Sequence, residues 1–157
     1  MCIPPDVLVT YYEYIAYTRS FNQDDPEWVQ VANVPSGYIM GSDISQLRSG
    51  RLWIAGTFGV AYSDDFLEVS PTWNTMLTIA EIVTALGENP TWNGEISPSD
   101  VVCSQIDPDT IIVSASVTTF TVSETHAFIS YDSGSTWQHI LIDPDERQGE
   151  TGVGGGS

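Results

Sequence analysis

Lysine is missing from this 157-residue chain, and four arginines stand against 21 acidic residues, a formal charge of −17. So acidic a surface repels phosphate backbones and anionic membranes, which excludes nucleic-acid binding and docking through a polybasic patch. It predicts a well-solvated protein that tolerates high salt, divalent cations or a basic partner. Cysteine is nearly absent as well: Cys2 and Cys103 are the only two. They suffice for one disulfide, but their spacing resembles no metal clip. Cys103 lies in the apolar run Val101-Val102-Cys103, where a small buried hydrophobe is expected. No apolar run reaches about 18 residues, so no transmembrane helix is predicted. The N-terminus shows no basic segment leading into an apolar one, so no signal peptide is visible. Asn89 precedes Pro90, which spoils the nearest approach to an N-linked sequon.

What the chain does have is repetition. Three predicted hairpins share one grammar: Val7 to Tyr12 with Tyr14 to Ser20, Gly50 to Gly56 with Val60 to Asp65, and Thr110 to Ser116 with Ala127 to Ser130. Each leads through a turn to a tryptophan: Trp28, Trp73 and Trp137. Thr18 to Ser63 is 45 residues, and so is Trp28 to Trp73. Ser63 to Ser130 is 67, an excess of about 22 that falls in the segment Ile79 to Pro98. A short outer strand follows each tryptophan (Val29 to Val34, Asn74 to Thr78, Gln138 to Ile142), and an inner strand precedes the second and third hairpins (Tyr38 to Ile44, Asp100 to Ile106). The pattern predicts an all-β fold of antiparallel four-stranded units, each about 45 residues long. The units run about 1–35, 36–98 and 99–146, together 1–148, with a flexible glycine-rich tail at 149–157. The first unit lacks its inner strand.

The third turn reads Ser130-Tyr131-Asp132-Ser133-Gly134-Ser135-Thr136-Trp137. Asp132 can accept nearby backbone N–H groups, Gly134 tolerates a positive φ, and Trp137 buries a large apolar surface as the next strand begins. This octapeptide resembles the Asp-box, or BNR repeat, of sialidase-type β-propellers. Ser63, Asp65 and Trp73 form a second, degenerate copy whose link, Phe66 to Thr72, is three residues longer. In the first copy Asn22-Gln23-Asp24-Asp25-Pro26 takes the same place. The resemblance implies about three propeller blades, with the boxes on the periphery and ligand sites on the axial face. Closed propellers use typically about 4–8 blades, so three imply a partial ring. Either the chain is a piece of a longer polypeptide, or copies associate to close the ring.

The stretch Thr75 to Trp92 places Met76, Ile79, Ala80, Val83 and Leu86 at helical spacing, with Gly87 and Pro90 as a stop. It predicts a short inserted helix near 76–87; the alternative is a longer outer strand followed by a loop. Beyond it Trp92 is expected at the tip of an exposed loop, the candidate ligand-binding aromatic. Tyr11, Tyr12 and Tyr14 can stack on sugars too, but alternate strand residues are expected to face the joints between units.

A catalytic reading finds little to work with. The sialidase set implied by the resemblance needs three arginines clamping a carboxylate, and Arg19, Arg48, Arg51 and Arg147 fall towards unit edges instead. Asp43 and Asp100, one on each predicted inner strand, are the candidates for a paired-carboxylate hydrolase. Their alternative role is as ordinary strand-edge polar residues. His126 and His139 have no Ser or Cys partner at a telling spacing and are expected to be structural. Acidic pairs such as Asp24-Asp25, Asp64-Asp65 and Asp107-Pro108-Asp109 could attract calcium, yet none matches a dedicated loop pattern. Turn opening is the simpler role for the Asp-Pro-Asp form. No cofactor is expected. The reading that results is a non-enzymatic binding or structural module, extracellular or on a particle surface. It would act through protein–protein or glycan contacts, with self-association or further blades completing the ring. The alternative is a fragment of a glycoside hydrolase whose catalytic residues lie elsewhere.

Overall fold

A computed structural model describes residues 7–45, 47–48, 50–86, 95–118 and 123–142. Among these the chain is all-β apart from one helix, with three antiparallel sheets formed in sequence order. The first holds β1 (Val7–Tyr11), β2 (Tyr14–Thr18) and β3 (Val29–Gln30). The second is the meander β4 (Ile39–Ile44), β5 (Leu52–Gly56), β6 (Gly59–Ser63) and β7 (Asn74–Leu77). Helix α1 (Ile79–Ala85) follows. The third sheet is the meander β8 (Glu95–Cys103), β9 (Ile111–Thr118), β10 (Ser123–Ser130) and β11 (Gln138–Ile142).

The second sheet lies between the other two, and strand alternation explains how. All five residues of β5 are buried. Leu52 and Ile54 pack with Ile15, Tyr17 and Phe66 towards the first sheet. Trp53 and Ala55 pack with Val101, Val113 and Phe128 towards the third. A strand buried on both faces reads as a continuous apolar run, as Leu-Trp-Ile-Ala does. The pairing register repeats from sheet to sheet: Val9 opposes Ala16, Ile54 opposes Ala61, and Val113 opposes Phe128. Ala61 faces the sheet before its own, and so does Phe128. By the same step Ala16 faces away from the second sheet.

β10 begins at Ser123, ahead of the expected Ala127, and β8, β3 and the helix depart from the sequence expectation for local reasons. β8 begins at Glu95 rather than Asp100 and stops at Cys103 rather than Ile106. Its start passes through Pro98, tolerated because β8 is an edge strand with a register irregularity between Pro98 and Asp100. Its end is set by the Ser104 hydroxyl, which accepts the N–H groups of Ile106 and Asp107 and turns the chain. β3 is two residues instead of six: the Val31 N–H still bonds the Ile15 carbonyl at 2.8 Å, and the chain then turns, with Asn33 at φ 53°. The inserted helix is present but starts later than Met76. Thr78 caps it, accepting the Glu81 N–H at 3.2 Å, while Glu81 accepts the Thr78 N–H at 2.8 Å. That capping box is legible as Thr78-Ile79-Ala80-Glu81. Ile82 of α1 is fully buried in the core between the second and third sheets.

Candidate functional site: a tyrosine-lined cleft

The three turns before the tryptophans share one hydrogen-bonding scheme. At the third, the Ser130 hydroxyl donates to Asp132 Oδ1 at 2.9 Å and accepts the Gly134 N–H at 2.7 Å. Asp132 accepts the Thr136 N–H at 2.8 Å and its hydroxyl at 2.7 Å. Ser133 and Gly134 take positive φ of 59° and 86°. At the second, Ser63 donates to Asp65 at 2.8 Å and Asp65 accepts the Thr72 N–H at 2.8 Å. At the first, Thr18 accepts the Ser20 N–H at 3.1 Å and the Ser20 hydroxyl accepts the Glu27 N–H at 3.0 Å. Ser20 thus stands where the other turns have aspartate. These carboxylates are committed to the backbone: Thr136 holds Asp132 below the ordinary carboxylate range. Burial alone would push Asp65 up, but the bonds from Ser63 and Thr72 outweigh it and bring it down.

The tryptophans lock neighbouring sheets together. Trp137 Nε1 donates at 3.1 Å to the carbonyl of Met76, in the outer strand β7 of the preceding sheet. Trp73 Nε1 donates to the Ala32 carbonyl at 3.4 Å, just after β3. Trp28 belongs to the first sheet, has no sheet before it among the described residues, and is 44 % exposed.

The candidate catalytic acids each accept a backbone N–H. Asp43 Oδ2 accepts the Cys103 N–H at 2.7 Å, tying β4 to β8 across the joint. Asp100 is exposed and accepts the N–H of its neighbour Val101 at 2.9 Å. The strands do come together: a Cβ on Gly41 would stand 2.5 Å from the Asp100 Cα. Cys103 is a free buried thiol, pushed up to about 12 by burial and by Asp43. The described arginines scatter. Arg51 is buried, forks onto Asp64 at 2.6 and 2.7 Å, and lies 4.0 Å from the Tyr62 ring centroid. Arg48 pairs with Asp109, and Arg19 sits 5.8 Å from the centre of the Tyr17 ring. Asp107 accepts the Asp109 N–H and the Thr110 hydroxyl, the expected turn-opening role. Among the described residues no three His, Cys, Asp or Glu side chains converge on a point where a metal could sit. Trp92 and Arg147 lie outside the described residues, as do Cys2 and the tail.

His126 and His139 meet, Nδ1 to Nε2, at 3.0 Å, with His139 stacked on Phe128. His126 Nε2 is buried, 3.3 Å from a Glu124 carboxylate oxygen. Desolvation, and then His126, lower the His139 pKa below its ordinary 6.5. A group with a lowered imidazole pKa binds fewer protons folded than unfolded, so stability rises with pH in that window. Urea unfolding across pH should therefore show stability level above 6.5 and declining below it. His139→Gln should remove that slope, and an unchanged slope would contradict the assignment.

The open cavity of interest lies where hairpin turns meet the starts of the inner strands. Thr10, Tyr11 and Tyr12 at the end of the first hairpin, Tyr38 to Met40 at the start of β4, Thr57, and Ser97 enclose about 470 Å³. Tyr12, at φ 49°, offers its carbonyl to the Ile39 N–H at 2.6 Å, which pins the first turn onto β4. Tyr38 is held in turn: its N–H donates to Thr57 Oγ1 at 2.9 Å, and its carbonyl accepts the Thr57 N–H at 3.0 Å. The rings touch edge to face, with centroids 4.5 Å apart for Tyr11–Tyr12 and 5.6 Å for Tyr12–Tyr38. All three are more than half exposed, as is Met40. Clustered exposed aromatics on a fixed backbone mark a recognition surface. The lining supplies rings and the hydroxyls of Thr10, Thr57 and Ser97, with no charged side chain among the described residues.

Sequence reasoning assigned part of this tyrosine cluster to joints between units and took Tyr38 as an ordinary strand residue. Tyr11 lies on the open face of the first sheet and Tyr12 in the turn beyond it, and both are exposed. No family model matches the chain, nor does any curated protein or solved structure.

Proposed function

We propose that the chain is a non-enzymatic binding module of consecutive Asp-box propeller blades that holds a neutral carbohydrate in the tyrosine cleft. The observation that carries this reading is the cleft's chemistry. It has flat apolar rings for the C–H faces of a sugar, hydroxyls for its edges and, among the described residues, no carboxylate in its lining. The blade assignment is supported by the repeated box geometry and by the indole bonds that join successive sheets. The overall charge of −17 disfavours anionic ligands and leaves neutral ones untouched.

The test is binding of neutral oligosaccharides by glycan array, followed by calorimetry on any hit. Tyr38→Ala should weaken binding about tenfold, equivalent to about 1.4 kcal/mol, with Tyr38→Phe largely restoring it. Binding indifferent to Tyr38 and Tyr12 would sink the cleft assignment. Turnover of chromogenic glycosides would favour instead the fragment of a glycoside hydrolase.

A further inference from the structure

The joint between sheets occurs twice in the described chain, and its two halves are left open at opposite ends. One half is the face that looks back at the preceding sheet, with a tryptophan at its corner: Phe128 and Trp137 of the third sheet, Ala61 and Trp73 of the second. The first sheet carries the same half without a partner among the described residues: Val9, Tyr14 and Trp28 are 44, 54 and 44 % exposed. The other half is the forward face with a carbonyl acceptor in or beside its outer strand, as at Met76 and Ala32. On the third sheet that face is also open. Ile112, Ile140, Ile142 and Val102 are 43 to 50 % exposed.

Strand alternation puts no charged residue of β1–β3 on the first open face. On the third the pairing register puts Asp100, opposite Ser114, and Glu95, opposite Thr118 at the far end of the face.

We infer that these halves belong together, and that the occupant of each is a second copy of this chain. The first sheet of one copy packs on the third sheet of the next, and the Trp28 indole donates to a backbone carbonyl in the Ile140–Leu141 stretch. The commitment to a second copy rests on continuity with the joints already present, because one molecule displays both halves of the same interface. Such a head-to-tail contact either closes into a ring or propagates. Like net charges oppose it, so added salt strengthens it by screening.

The experiment is light scattering on the full chain across concentration, at low and high salt. The expected result is a mass that is a multiple of the single chain and grows with salt. Trp28→Ala and Ile140→Asp each change an exposed residue, so each should fold normally by circular dichroism and fall to single-chain mass. Mixing the two variants should recover a two-chain particle, because one joint between them is intact. A wild-type chain of single-chain mass at every concentration would overturn the inference, including the case where other sequence covers these faces. So would an assembly that neither variant weakens, or a mixture that stays monomeric. Mass is read without ligand, so failure here is distinct from failure of the cleft.

Discussion

Trp53→Ala should lower the free energy of unfolding by about 3–5 kcal/mol, the usual cost of emptying a buried tryptophan site. Trp53 is 1 % exposed and sits on the doubly buried strand β5. Its ring centroid is 4.9 Å from that of Tyr62, and the rim of its indole reaches under the turn from Ser130 to Trp137. A Cβ on Gly134 would come within 3.1 Å of it. The cavity would therefore open at the joint between the second and third sheets, where residues from both sheets would have to move to refill it. Against a typical total of about 5–15 kcal/mol, little stability would remain. Urea titration measures this. A loss below about 1 kcal/mol, typical of surface substitutions rather than core ones, would show that the joint is not packed as described.

The second large effect is expected at Gly56, the last residue of β5. A Cβ there would stand 2.0 Å from the Tyr38 carbonyl oxygen and 3.0 Å from the Phe58 ring. The backbone of β4 would have to withdraw, at an overpacking cost of about 1–3 kcal/mol. The same carbonyl accepts the Thr57 N–H, so the displacement would reach the cleft directly. Gly56→Ala should thus lose stability and carbohydrate binding together, whereas Tyr38→Ala should lose binding with stability nearly unchanged. Equal stability of Gly56→Ala and wild type in chemical denaturation would refute the close approach.

The repeat was legible because its signals are local. The apolar alternation of the hairpins, the Ser-x-Asp turns and the 45-residue interval each depend on neighbouring residues, and the sheets formed where they pointed. β8 was misplaced because its start runs through Pro98, a residue that argues against a strand unless the strand is known to be an edge. Ser20 is hard to read as the counterpart of Asp65 and Asp132 beside the acidic run 22–26, because a hydroxyl suffices to accept the Glu27 N–H. The cleft was the least legible part. It is assembled from the end of one hairpin, the start of β4, a turn and the start of β8. No window of sequence contains those pieces together. The capping box at Thr78 was present in the sequence and would have located the start of α1.

Indole hydrogen exchange, followed by NMR on dilute protein, tests most directly whether each joint between sheets is closed by the tryptophan that follows its turn. The Nε1 protons of Trp73 and Trp137, bonded to the Ala32 and Met76 carbonyls, should exchange slowly, and that of exposed Trp28 quickly. Rapid exchange at Trp73 or Trp137 in the folded protein would contradict the account.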